Sequence, residues 1–128
     1  MLLFNMRWNS PIPSSNPSGD GGGRRPAQCL WAATPWERAR GLIASDPLPE
    51  GMGLWLPGTT AIHMFGMTRS IDVAFLSADG AILSVHSPVR PWTMLWGPRG
   101  SGAALETEVG GLSAARPGDQ VLLEACDA

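Results

Sequence analysis

Glycine and proline recur so densely along this chain, 16 and 12 times in 128 residues, that short strands and turns suit it better than long helices. The clearest local signal is Ala78-Asp79-Gly80, set between the apolar runs Ile71 to Ser77 and Ala81 to His86. Asp-Gly as a two-residue loop favours the type I′ turn that matches strand twist, so this segment predicts a β-hairpin. Val73 and Phe75 share one face of its first strand, and Leu83 and Val85 share one face of its second. Further short strands are expected at Gln28 to Ala32, Gly53 to Leu56, Ile62 to Phe65, Ala104 to Val109 and Gln120 to Glu124.

One helix start stands out at Thr34-Pro35-Trp36-Glu37. Thr34 can cap, Pro35 suits the first helical position, and Glu37 completes a capping box. Trp36, Ala39, Leu42 and Ile43 recur at helical spacing, which predicts a helix running to just before Asp46-Pro47. Gly41 then falls inside it and implies close packing on a sheet. Trp31, Trp36 and Trp55 are assigned to the core. Residues 87–102 hold Pro88, Pro91, Pro98 and Gly100 and read as one long irregular loop, of a kind that often serves function. The expected fold is α+β: a small, mostly antiparallel, barrel-like β-sheet of six or seven short strands with one α-helix packed on it. Residues 28–126 are expected to form a single globular domain. Residues 1–27, rich in Pro, Gly and Ser, are expected to be a flexible tail with too little apolar surface to offset ordering entropy.

Composition removes several function classes. All nine basic residues are Arg and the formal charge is −2, so there is no basic run of the sort that binds nucleic acid. Without Lys there is no Walker A phosphate loop, Schiff base or lysine general base. No apolar run approaches the ~20 residues of a membrane span, and Met1 to Phe4 lacks the apolar region of a signal peptide. A cytoplasmic location is the resulting expectation. Two cysteines, Cys29 and Cys126, cannot make a zinc ribbon, and without an export signal a reduced pair is expected rather than a disulfide.

Candidate chemistry is sparse. His63, Met64, Met67 and His86 are soft-metal ligand types, but in a strand His63 and Met64 point to opposite faces, so no metal site is assigned. Ser101 lies between glycines without the elbow that serine hydrolases need, and no catalytic group is assigned. Glu106 and Glu108 share a face of one strand; such pairs can hydrolyse glycosides, although a solvated pair is the simpler expectation. Asp72 precedes an apolar strand and is expected to accept backbone N–H bonds at the turn that starts the hairpin; Asp119 has the same reading. Trp92 and Trp96, flanked by Arg90 and Arg99, are the best binding candidates, because indoles stack on sugar or other planar rings and Arg reads acceptors in pairs.

The order of motifs resembles one known family. Arg38-Ala39-Arg40-Gly41-Leu42-Ile43 is followed by Gly51-Met52-Gly53-Leu54-Trp55-Leu56, then Ile62-His63-Met64-Phe65-Gly66-Met67 and Ile71-Asp72-Val73-Ala74-Phe75-Leu76. Gly80, Pro91, Leu105-Glu106, Gly110 and Pro117-Gly118-Asp119 complete it. This is similar to the prokaryotic proteins grouped as domain of unknown function 192. The chain departs from that pattern at Ser70, where Pro is usual, and at Thr59, which is Cys in many members; another branch has Trp at His63. The resemblance implies a compact β fold with one packed helix and no established activity. A non-catalytic module is therefore expected, binding a small or carbohydrate-like ligand through His63, Asp72, Arg90, Trp92, Trp96 and Arg99, with no cofactor. The alternative is a protein-interaction accessory of an envelope or secretion assembly. A cleft uniting His63, Asp72 and Trp92 would favour the first, and an open apolar patch of loop tryptophans the second.

Overall fold

The structure, a computed structural model, describes residues 2–11 and 23–126. Nine strands and one short helix follow in order: β1 (Leu2–Asn9), β2 (Gln28–Trp31), α1 (Pro35–Arg40), β3 (Met52–Pro57), β4 (Ala61–His63), β5 (Ile71–Leu76), β6 (Ile82–Val89), β7 (Met94–Trp96), β8 (Ala103–Glu108) and β9 (Gln120–Ala125). Seven strands form one sheet in the order β6-β5-β8-β3-β2-β1-β9, and β4 pairs with β7 in a separate ribbon. Every pairing is antiparallel except β2 with β3, which α1 connects as a parallel crossover. The sheet is open rather than a barrel. Its edge strands approach at one isolated bridge, Ala81 to Gln120.

Strand alternation explains the core, because successive side chains leave opposite faces. On one face Leu54 and Leu56 of β3, Ile71, Val73 and Phe75 of β5 and Ala104 of β8 meet Leu42, Ile62, Met64 and Met67. On the other, Trp55, Ala74, Leu76 and Leu105 meet Met6, Cys29, Leu112, Ala115 and Val121. β5, between β6 and β8, is buried along its whole length, since both of its faces are covered.

Several expectations are corrected. Leu2–Asn9 were assigned to a tail but form β1, paired with both β2 and β9. Phe4, Met6 and Trp8 alternate onto the second core face, and that period-2 pattern supplies the apolar surface the composition of 1–27 as a whole lacks. Residues 12–22 of the expected tail lie outside the described residues. The helix ends at Arg40, because Gly41 takes a φ of +52° and its N–H closes on the Glu37 carbonyl. Its capping box is present as expected: Thr34 Oγ1 accepts from the Glu37 N–H and Glu37 accepts from the Thr34 N–H, both at 3.1 Å. None of its residues is buried and Trp36 is 77 % exposed, so burial passes to Leu42 and Ile43 just beyond it. Trp31 and Trp55 do pack inside, with ring planes 8° apart. Residues 87–102 are not one loop: β6 runs on to Val89 and β7 occupies Met94–Trp96.

The hairpin forms as β5 and β6, with a loop closed by the Ser77 N–H on the Ala81 carbonyl at 2.9 Å and Gly80 at a φ of +93°. Both cysteines are free. β1 lies between β2, which carries Cys29, and β9, which Cys126 follows. That places the two backbones ~9–10 Å apart, two interstrand spacings, beyond the Cα reach of a disulfide. Burial, with a lesser contribution from Cys126, pushes the Cys29 thiol up to about 12. Among the described residues no helix is long and apolar enough to cross a membrane.

Candidate functional site

The first core face is incompletely filled. Between the end of α1 and β4 lies a cleft of about 70 Å³. Leu42, Ile43, Ile62, Met64, Met67 and Ile71 form most of its wall, Glu106 brings a carboxyl to it, and Arg38, Arg40 and His63 border it. Such a mixture, a mostly apolar concavity with a few polar groups, is the usual composition of a small-ligand site.

Glu106 reaches the cleft because it sits on β8 in register with Leu54 of β3 and Val73 of β5, both residues of the first core face. It is 4 % exposed. Oε1 accepts the Leu42 N–H at 3.2 Å, and Oε2 takes no hydrogen bond among the described residues. Burial pushes this carboxyl up to about 7, and the Leu42 N–H only partly opposes it. Gly41 permits the arrangement: a Cβ there would stand 2.7 Å from Oε1, so only glycine lets the chain pass so close.

Glu108, two residues on, shares that face but has a different environment. Arg69 grips it through Nε at 2.7 Å and Nη2 at 3.1 Å, and the Leu48 N–H donates to it at 3.2 Å. Burial raises the Glu108 carboxyl, but the bonds from Arg69 and Leu48 outweigh it and hold it below the usual value. The expected solvated pair is therefore one buried acid and one ion-paired carboxylate. With Glu108 committed to Arg69, the two do not form a glycosidase dyad.

His63 borders the cleft from β4. Its Nδ1 is buried and has no hydrogen-bond partner, an exception to the rule that buried polar atoms are satisfied. Its ring stacks on Phe65 at 5.3 Å, and Phe65 meets Trp92 at 6.2 Å. In the β4–β7 ribbon Ile62 opposes Leu95 and both face the core, whereas Ala61 opposes Trp96 and His63 opposes Met94 on the other side. This leaves Phe65, Trp92, Met94 and Trp96 exposed as an aromatic shelf beside the cleft.

The residues expected to cooperate are thus partly separated. His63 and Trp92 are linked through Phe65, and Trp96 lies on the same ribbon face. Arg90 and Arg99 are exposed at the flanks. Asp72 is on the opposite face of the sheet, fully buried. It accepts the N–H groups of Gly110 at 3.0 Å and Leu112 at 3.3 Å, and the Ser87 hydroxyl. It pins the turn after β8 through the Gly110 and Leu112 N–H groups and ties to β6 of its own hairpin through Ser87. Asp119 caps its own turn by accepting the Arg116 N–H at 3.0 Å. His86 packs edge-on against Phe75, and burial lowers its pKa. No group of three or more metal-ligating side chains occurs among the described residues. Glu106 was visible in the sequence only as half of a carboxylate pair. The missed signal was its period-2 alignment with Ala104, which marks the core face.

Comparison with known proteins adds a family and a fold. A curated relative from Thermococcus sibiricus, a UPF0127 protein, is 34 % identical over 83 residues, covering 62 % of this chain and 53 % of that protein. The chain thus matches about half the length of that relative. A solved protein of unknown function from Novosphingobium aromaticivorans superposes with a TM-score of 0.65 at 24 % identity, over 73 % of each chain. Another, described as a candidate transcription regulator from Sinorhizobium meliloti, superposes with a TM-score of 0.74 at 19 % identity, over 94 % of this chain and 93 % of its own. At these identities the two structures speak to the fold alone. The family profile of DUF192, described as "Uncharacterized ACR", matches residues 19–123, and the chain belongs to that family.

Proposed function

We propose that this chain is a small-molecule-binding module whose ligand enters the cleft between Gly41–Ile43 and β4. The observation that supports this reading is a buried carboxyl, Glu106, that lines a mostly apolar cleft and has one hydrogen bond, from the Leu42 N–H, among the described residues. Burying a polar group without a hydrogen-bond partner costs ~1–3 kcal/mol, and a ligand that bonds the Glu106 carboxyl would offset part of its burial. The cleft holds a head group of only a few atoms, so the rest of a planar or sugar-like ligand would lie on the Phe65–Trp92 shelf. Trp96, Arg90 and Arg99 would extend that contact surface, while Asp72 serves the fold. The lining includes no Ser, Thr or Cys, which favours binding over nucleophilic catalysis.

The test is tryptophan fluorescence and amide NMR during titration with a broad panel of small molecules. A true ligand shifts the Leu42 and His63 amide signals, and Trp92→Ala removes the fluorescence response while leaving the remaining spectrum intact. If no compound perturbs those two amides, the proposal fails. A second reading, a protein-interaction accessory, draws on the exposed side chains of Phe65, Trp92, Met94 and Trp96. It requires that Trp92→Ala/Trp96→Ala abolish the capture of a defined partner, and a partner retained by that variant would refute it.

A further inference from the structure

We infer that the ribbon of β4 and β7 is a docking face for an anionic lipid surface, with its aromatic side chains in the interface and its flanking arginines at the headgroups. The apolar part of this face is contiguous. His63 opposes Met94 across the ribbon and Ala61 opposes Trp96 on the same side, while Ile62 and Leu95 turn to the core. The His63 ring stacks on Phe65 at 5.3 Å, and Phe65 meets Trp92 at 6.2 Å. Trp92 and Trp96 are 69 % and 67 % exposed, and Phe65 and Met94 are each 45 % exposed. Trp92 has a φ of +65°, a left-handed conformation unfavourable for a bulky residue. Three bonds fix it there. The Trp92 N–H donates to the Met64 carbonyl and the Met64 N–H to the Thr93 carbonyl, both at 2.8 Å, and the Thr93 hydroxyl donates to the Arg90 carbonyl at 2.6 Å. The strained turn thus holds an indole out in solvent.

Size and charge select the occupant. At ~150–250 Å² for a whole aromatic side chain, the four exposed side chains present roughly 400 Å². That is about half of the ~800 Å² that each partner contributes to a stable protein pair. None of the four lines the cleft; they form an open surface. A fluid bilayer requires no shape complementarity, and Trp and Phe settle at its polar–apolar boundary. The segments that build the face, residues 59–67 and 87–102, contain no Asp or Glu but carry Arg90 and Arg99. Both arginines are exposed, and neither forms a salt bridge among the described residues. Arg90 opens the Trp92 turn before β7. Arg99 lies in the turn after β7, where the Ser101 N–H donates to the Pro98 carbonyl at 3.1 Å, so one arginine stands at each end of that strand. From α1, Arg38 and Arg40 border the cleft beside β4, and the one acid of that helix, Glu37, is held in the capping box. This side is therefore positive in a chain of formal charge −2, and an anionic surface complements it. Arginines can keep their guanidiniums among headgroups while apolar neighbours enter the interface.

The test mixes the whole chain with vesicles of phosphatidylcholine alone and with vesicles of phosphatidylcholine and phosphatidylglycerol in a two-to-one mixture. Association is followed by co-sedimentation and by tryptophan emission. The expected result is preference for the mixed vesicles, a blue shift on association, and weakening by salt. Arg90→Gln/Arg99→Gln is expected to lower affinity for the mixed vesicles about thirtyfold and to leave that for neutral vesicles unchanged. Trp92→Ala/Trp96→Ala is expected to remove the blue shift and most of the association. Both variants change exposed side chains, and their melting temperatures check the fold; the wild-type preference between vesicles stands without either. Equal affinity for the two kinds of vesicle, or association with neither, overturns the proposal. So does a dimer that Trp92→Ala/Trp96→Ala abolishes, seen without vesicle association, because it would give the face to a second copy of the chain. None of these outcomes bears on the cleft, whose ligand is read at the Leu42 and His63 amides.

Discussion

Asp72 and Glu106 are both buried acids, yet their surroundings give them opposite roles. Asp72 is saturated by two backbone N–H groups and a hydroxyl. Replacing it by Ala leaves the Gly110 and Leu112 donors without an acceptor in a buried turn. The expected loss is about 2–6 kcal/mol, two groups at ~1–3 kcal/mol each, read as a lower urea midpoint; an unchanged midpoint would show the turn to be held by other contacts. Glu106 has one such bond, too little to keep it ionised. The sequence made the structural role of Asp72 legible, because an acid beside an apolar strand needs donors. Which donors it finds is a matter of strand order, and it is β8 lying beside β5 that delivers the turn at Gly110. The burial of Glu106 was not legible from its charge, only from the alternation it shares with Ala104.

Short elements here are governed by single backbone positions. The capping box of α1 could be read from four residues, since its hydrogen bonds are local. The helix end could not, because what stops it is a tertiary approach: Gly41 passes within contact of the Glu106 carboxyl. Gly41→Ala is therefore expected to cost about 1–2 kcal/mol for its left-handed φ, and more for the clash. Truncating the acid in Gly41→Ala/Glu106→Ala removes the clash but not the φ strain. The double mutant should be less destabilised than the sum of the singles, by at least ~0.5 kcal/mol. Strict additivity in denaturation would mean that the two do not touch. The hairpin at Asp79-Gly80 was predictable for the same reason as the cap, whereas β4 and β7, only three residues each, are stabilised by pairing across some thirty residues and left little local trace.

At the scale of the molecule, β1 joins strands from both ends of the chain, pairing with β2 on one side and β9 on the other. Removing residues 2–9 would expose the edges of both and strip Met6 from the second core face. We expect that deletion to abolish cooperative unfolding or lower the melting temperature sharply, in contrast to the silent deletion a tail would allow; an unchanged melting temperature would contradict the assignment of β1. The mostly antiparallel sheet was legible from turn spacing, but nine strands stand where six or seven were expected, with β1 and β7 unforeseen, and sheet order and the failure to close depend on long-range pairing. Global stability should also carry the signature of Glu106. Its pKa is raised on folding, so the contribution is full below about 4.5 and is lost as pH rises through about 7. The lost stability is about 3 kcal/mol, at ~1.4 kcal/mol for each pH unit between those values, and Glu106→Gln should flatten that slope.

The central claim, that a buried and protonatable carboxyl faces the cleft, is tested most directly by ¹³C NMR of the Glu106 side-chain carboxyl titrated in the free protein. The expected midpoint is near 7, accompanied by shifts of the Leu42 amide that donates to it. A midpoint at the ordinary glutamate value of 4.5 would contradict the account, because it would place Glu106 in water and leave the cleft without its acid.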